Sequence, residues 1–195
     1  SVQTGFRNPT TQDLFIGLDA GRAILVGSAP ENLDRYVRTF DVSEEGQIGF
    51  SQPQTVTQTG RVAYENSYTA SSVQALADTG NPAVLEVSNP DIIKPEQVSS
   101  AEIGYRGKFK NLIVDFSTYY NKYKDFISQE VVIAPYYGTV GSPDGLAVAS
   151  IANKDFQAYS TYTNSQADVN SYGASIGLST KVFGDFDLSG SFTYA

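Results

Sequence analysis

The sequence predicts an all-β chain of amphipathic strands, and three observations carry the prediction. Apolar and polar residues alternate with period two over runs of about ten residues. The runs are joined by very short breaks in some places and very long polar segments in others. The 13 Tyr and 11 Phe stand beside no Trp, Met, Cys or His, a composition that favours strands. About ten residues is the length a tilted strand needs to cross a hydrocarbon layer, and short turns at one end with long loops at the other is the asymmetry of transmembrane barrels. The fold class predicted is therefore part of a transmembrane, antiparallel, up-and-down β-barrel with long extracellular loops. Period two by itself fits a β-sandwich with its apolar face inward equally well.

The opening SVQTGF reads as the end of a first strand, about 1–7. A second, about 99–109, sets Ala101, Ile103, Tyr105 and Phe109 against Ser100, Glu102, Arg106 and Lys108. Lys110-Asn111 then reads as a two-residue turn into a third strand, about 112–127, which carries Leu112, Val114, Phe116 and Tyr120 opposite Ile113, Asp115, Ser117 and Tyr119. That turn sets Phe109 opposite Leu112, Tyr105 opposite Phe116, Arg106 opposite Asp115 and Glu102 opposite Tyr119. A fourth strand, about 169–182, alternates Tyr172, Ala174, Ile176, Leu178 and Val182 with Gly, Ser and Lys181. Phe183-Gly184-Asp185 reads as a three-residue turn into a fifth, about 186–195, which sets Lys181 opposite Asp187 and Ile176 opposite Phe192. The predicted lipid-facing set is Ile103, Tyr105, Val114, Phe116, Ile176, Leu178 and Phe192. The predicted lumen-facing charge pairs are Arg106 with Asp115 and Lys181 with Asp187. Tyr119, Tyr120, Tyr123, Tyr172 and Tyr194 gather toward strand ends, where an amphipathic ring suits the headgroup layer.

The intervening segments, about 8–98 and 128–168, are far longer than the connections of a compact domain and are expected as extracellular loops. Short helices are expected at Pro30–Arg38 and Ser71–Asp78, the latter with Ser71 or Ser72 as its cap and Gly80 as its stop. SQPQTVTQTG and GTVGSPDG read as turns and polar loop. Tyr136, Tyr137, Phe156, Tyr159 and Tyr162 are the candidate ligand contacts, because large rigid rings stack on sugars or aromatic solutes; the other role open to them is packing that holds a loop together. Asp34, Asp41, Glu44 and Glu45 lack the spacing of a calcium loop and read as solvated surface.

Composition excludes whole classes of chemistry. Without Cys or His there are no zinc sites built from those ligands, no thiol nucleophile and no Ser-His-Asp triad. A net charge of −8 with no Lys/Arg cluster argues against a nucleic-acid partner. No carboxylate pair can be set at a glycosidase separation, so the sequence points away from an enzyme, and no cofactor or metal is expected. The polar start carries no secretory leader, so the chain is expected to be processed or cut from something longer.

The order of three segments, TGFRNPTTQDLF, NPDIIKPEQVSSAEIGYRGKFKNLIVDFSTYYNKYKDFI and NSQADVNSYGASIGLSTKVFGDFDLSGSFTYA, resembles the later barrel strands of TonB-dependent outer-membrane receptors. Gly5, Phe6, Arg7 and Pro9 match a strand end that leads to an extracellular loop. Asn89, Pro90, Lys94, Pro95 and Glu96, then Glu102 and Gly104, match the opening of a descending strand, and Tyr119 to Ile127 match the end of the next ascending one. Tyr172-Gly173-Ala174-Ser175 departs from the Gly-Val-Glu pattern of that family. The resemblance implies a Gram-negative outer-membrane location and energy-coupled uptake of a siderophore, vitamin, glycan or peptide. The partners it implies are membrane lipid, a plug domain, further barrel strands and the energy-coupling TonB protein. The plug is not expected within these residues, and about 22 strands close such a barrel. The alternative is a soluble or surface-attached β-sandwich that binds carbohydrate or acts as an adhesin.

Overall fold

The computed structural model describes residues 1–167, 169–184 and 186–195. Among these the elements run, in chain order, β1 (Val2–Arg7), α1 (Thr11–Phe15), β2 (Gly17–Asp19), β3 (Ile24–Val26), α2 (Pro30–Leu33), β4 (Val37–Asp41), α3 (Glu44–Gly49), β5 (Thr55–Thr59), α4 (Arg61–Glu65), β6 (Tyr68–Thr69), α5 (Ala70–Thr79), β7 (Glu96–Phe109), β8 (Leu112–Lys124), β9 (Ile127–Pro135), α6 (Leu146–Ala152), β10 (Phe156–Asn164), β11 (Val169–Val182) and β12 (Phe186–Tyr194). They form two units: Ser1–Asn8, Pro95–Phe126 and Ser165–Ala195 in one, Pro9–Lys94 and Ile127–Asn164 in the other.

The first, the strand unit, is a single five-stranded sheet in the order β1-β7-β8-β11-β12, with every neighbouring pair antiparallel. The sheet is open, with β1 and β12 at its edges. Its registers follow from the alternation and the charges. Phe109 faces Leu112, Tyr105 faces Phe116, Arg106 faces Asp115 and Glu102 faces Tyr119, while Lys181 faces Asp187 and Ile176 faces Phe192. Lys110 turns the first hairpin at φ 52° and Phe183 the second at φ 50°; Asp185, the third residue of that second turn, lies outside the described residues, as does Asp168 at the end of the second long segment. The third strand is shorter than the alternation suggests. It stops at Lys124, because Asp125 takes φ 55°, and Ile127 opens β9 in the other unit.

The second, the loop unit, is folded around a sheet of its own in the order β2-β3-β10-β9-β6. β10 lies at its centre, parallel to β3 and antiparallel to β9, so each long segment supplies strands to one sheet. Both sheet faces are covered, as a stable layer architecture requires. On one, Ile24, Val26, Val132, Ala134 and Tyr159 pack with Leu33 of α2 and with Ala63 and Tyr64 of α4. On the other, Tyr68, Ile133 and Phe156 pack with Val73 and Leu76 of α5 and with Ala147 and Ile151 of α6.

Local signals explain the helices and correct their expected bounds. α2 ends at Leu33 and the chain passes into β4 before Arg38, whose neighbours Val37, Thr39 and Phe40 prefer extended backbone. α5 is capped by Thr69, whose side chain accepts from the Ser72 N–H, rather than by Ser71 or Ser72, and stops at Gly80 with φ 65°, a conformation that costs glycine nothing. SQPQTVTQTG is not all loop either: Thr55–Thr59 is β5, paired with β4.

Candidate functional site: a two-faced wall and a folded pair of loops

Period two combined with antiparallel registry gives the strand unit two unlike faces. One carries Ile103, Tyr105, Val114, Phe116, Ile176, Leu178 and Phe192 in a continuous cross-strand patch, since Tyr105 faces Phe116, Phe116 faces Ile176 and Val114 faces Leu178. These side chains are not sealed between stacked sheets: Ile103 is 69% and Phe192 68% exposed, and only Val114 and Phe116, in the central strand β8, are half-buried. The inward-packed sandwich is therefore not the fold of this unit. Tyr120 and Tyr172 stand opposite each other near one end of the patch, the Tyr172 and Tyr194 rings are 6.4 Å apart, and the Tyr120 hydroxyl donates to Asn170 Oδ1 at 2.8 Å.

The opposite face carries the charges and the small residues. Arg106 Nε lies 3.5 Å from Asp115 Oδ2, both side chains well exposed, and Lys181 stands directly across from Asp187. Beyond Arg106 and Asp115, on the side away from Lys181, runs a lattice of short polar groups in which Ser117 and Ser175 share a hydrogen bond of 2.8 Å and Asn121 donates to Ser171 at 3.0 Å. Gly173 faces Tyr119 across the ladder, and a Cβ there would sit 2.6 Å from the Tyr119 ring, so the ring lies over the glycine and covers backbone that would otherwise be bare.

The loop unit sorts the five candidate aromatic rings by burial. Tyr159 is 1% exposed and sits at the centre of one core layer. Tyr162 and Tyr137 are also buried; Tyr162 receives Gln12 Nε2 at 3.1 Å on its hydroxyl, and Tyr137 receives Asn153 Nδ2 at 3.0 Å. Packing, the other role open to them, accounts for these three. Tyr136 is half-buried and stacks on Phe40 with ring centroids 4.9 Å apart, and Phe156 is half-buried against the second core layer.

Alternation does not reveal several residues that organise this unit. Tyr64 donates to the Val26 carbonyl at 3.0 Å and accepts the Tyr162 N–H at 3.1 Å, and burial pushes its phenol well above the ordinary tyrosine range, as it does for Tyr159. Arg38 lies 4.6 Å above the Tyr36 ring. Asp34, one of the four acids read as solvated, accepts two 2.7 Å bonds from Arg61, and that hydrogen bonding holds its carboxyl below its ordinary value. Glu44 and Glu45 occupy the first turn of α3, where negative charge is favoured.

A family model described as TonB dependent receptor-like, beta-barrel, matches residues 1–195. No curated protein and no solved structure matches the chain.

Proposed function

The chain belongs to the TonB-dependent receptor-like β-barrel family, a family of outer-membrane receptors and transporters, and from that premise we propose that the strand unit is barrel wall and the loop unit a solute-capturing structure on the outer side. In this reading Ile103, Tyr105, Val114, Phe116, Ile176, Leu178 and Phe192 meet lipid. Arg106, Asp115, Lys181 and Asp187 meet the wet lumen or a plug domain, and Tyr120, Tyr172 and Tyr194 mark a headgroup level. Cargo, whether siderophore, vitamin, glycan or peptide, is held by the loop unit and released inward when the TonB protein acts on the plug. No bond is made or broken in the cargo. The observation that carries the reading is the exposed apolar patch that crosses strands β7, β8, β11 and β12 on one face, opposite a face of serine, glycine and charge: an apolar surface this continuous needs a partner, and lipid fits its alternation.

These 195 residues contain no cysteine, so single cysteines can be placed among them in a full-length receptor in which any cysteine outside them is replaced by serine, and labelled in intact cells. Phe192→Cys and Leu178→Cys are expected to resist a water-soluble maleimide, and Ser191→Cys and Ser179→Cys to react with it once the outer membrane is permeabilised. Equal labelling of neighbours on the two faces would rule the wall reading out.

A further inference from the structure

The loop unit carries a half-open pocket of about 720 Å³ lined by Val73 and Leu76 of α5, Ile151 of α6, and Ile133 and Phe156 of the sheet. That volume lies within the span of roughly 300–1,000 Å³ typical of small-molecule sites, whose walls are mostly apolar with a few placed polar groups. Among the residues lining the pocket one is charged: Lys154. It is exposed and has no ion-pair partner among the described residues. Its backbone is also unusual, for it takes φ 63°, a left-handed conformation in which glycine would be unstrained and a long side chain costs on the order of 1 kcal/mol. Asn153 ends α6 immediately before it, so the chain turns sharply there and the turn itself does not call for a lysine.

We propose that this pocket binds an aliphatic carboxylate, its chain lying between Val73, Leu76, Ile133, Ile151 and Phe156 and its carboxylate paired with the Lys154 ammonium. An apolar cavity with a single cation among its lining residues complements an amphiphilic anion and disfavours the cation of the same shape, because one end of the ligand loses water only where a hydrocarbon wall replaces it and the other keeps both a counter-charge and solvent. The assignment rests on reading the loop unit as the part that meets solute, but its test is binding rather than uptake, so the two can fail separately.

The probe is octanoate, titrated calorimetrically into full-length receptor held in amphipol or nanodiscs, with octylammonium as the charge-reversed control. Saturable binding of octanoate and much weaker binding of octylammonium are expected. Lys154→Gly, which removes the cation and relieves the backbone, is expected to lose octanoate affinity about tenfold while the thermal midpoint holds or rises. Lys154→Glu is expected to exchange the preference for octylammonium, and Ala77→Trp to abolish both by filling the pocket. Equal affinity for the two probes, octanoate binding untouched by Lys154→Gly, or no binding at millimolar octanoate would overturn the site. So would a receptor in which Ala77→Trp lowers the thermal midpoint while octanoate has no effect, since another protein segment would then occupy the pocket. Normal cargo uptake without octanoate binding would remove this site and leave the receptor reading standing.

Discussion

Asp155 and Ser43, 112 positions apart, are joined by two hydrogen bonds: the Ser43 N–H donates to Asp155 Oδ1 at 2.7 Å and its hydroxyl to Oδ2 at 2.8 Å. Asp155 is 3% exposed and Ser43 is the cap of α3, so a single carboxylate ties the start of a helix in one long segment to the end of α6 in the other. Asp155→Ala leaves the part-buried N–H and hydroxyl of Ser43 short of acceptors. A loss of about 2–4 kcal/mol is expected in the unfolding of the loop unit, with Asp155→Asn closer to 2. Urea unfolding of the receptor, followed by near-ultraviolet circular dichroism of the tyrosines, measures it; a change under half a kcal/mol would mean that solvent replaces both bonds.

Phe192 and Ser191 are sequence neighbours on opposite faces of β12. In lipid vesicles Phe192→Arg is expected to cost about 2–4 kcal/mol if it lies near the bilayer midplane, and Ser191→Arg about 1 or less. Reversible folding of the receptor into vesicles across a urea series gives both values. Similar costs for the two would contradict a lipid-facing assignment of Phe192.

Arg106 and Asp115 form an exposed pair, so Arg106→Ala is expected to change stability by no more than about 1 kcal/mol. Arg106→Glu sets two negative charges across the ladder and is expected to destabilise by a further few tenths of a kcal/mol, recovered when combined with Asp115→Arg. The double-mutant cycle in folding free energy is the check, and a coupling above about 2 kcal/mol would place the pair in a far drier setting than the exposed face described.

Tyr64 and Tyr159 set an alkaline limit on the loop unit. Burial raises both phenols above the ordinary value of about 10. The folded unit therefore keeps protons that the unfolded chain releases, and its stability is full below that value and falls as pH rises through and beyond it. Unfolding midpoints are expected to drop between about pH 9 and 11, with a shallower drop in Tyr64→Phe and Tyr159→Phe. A flat profile, with all tyrosine absorbance titrating near pH 10, would contradict their burial.

The strand unit was legible in the sequence because each of its strands has one wet and one apolar face, and period two records that directly. The charges then fixed the register: a one-residue slip would move Arg106 away from Asp115 and turn Tyr105 to the wrong side. The loop unit was not legible, for a physical reason. β10 is covered on both faces, so FQAYSTYTN carries no alternation to read, and β3 is only Ile24–Val26, too short for any period. Tyr159 and Tyr162 looked like candidate ligand contacts because sequence alone cannot distinguish a ring that faces solvent from one at the centre of a sheet whose partners lie in another segment. The early stop of β8 was hidden as well, since Asp125 interrupts the strand through its backbone angle and leaves the pattern of residue types intact.

β10 lies between β3 and β9, and the reciprocal bonds of Lys94 and Asn164, 2.6 and 3.0 Å, link the ends of the two segments. Neither segment is a self-contained cassette. A chimaera that grafts 9–94 from one receptor onto another would leave β3 without its parallel neighbour, and a graft of 127–164 alone would expose both flanks of a hairpin built to be enclosed. Exchange of specificity between such proteins, by recombination or by design, would have to move the two stretches together, and length changes in one would be tolerated only where the other accommodates them.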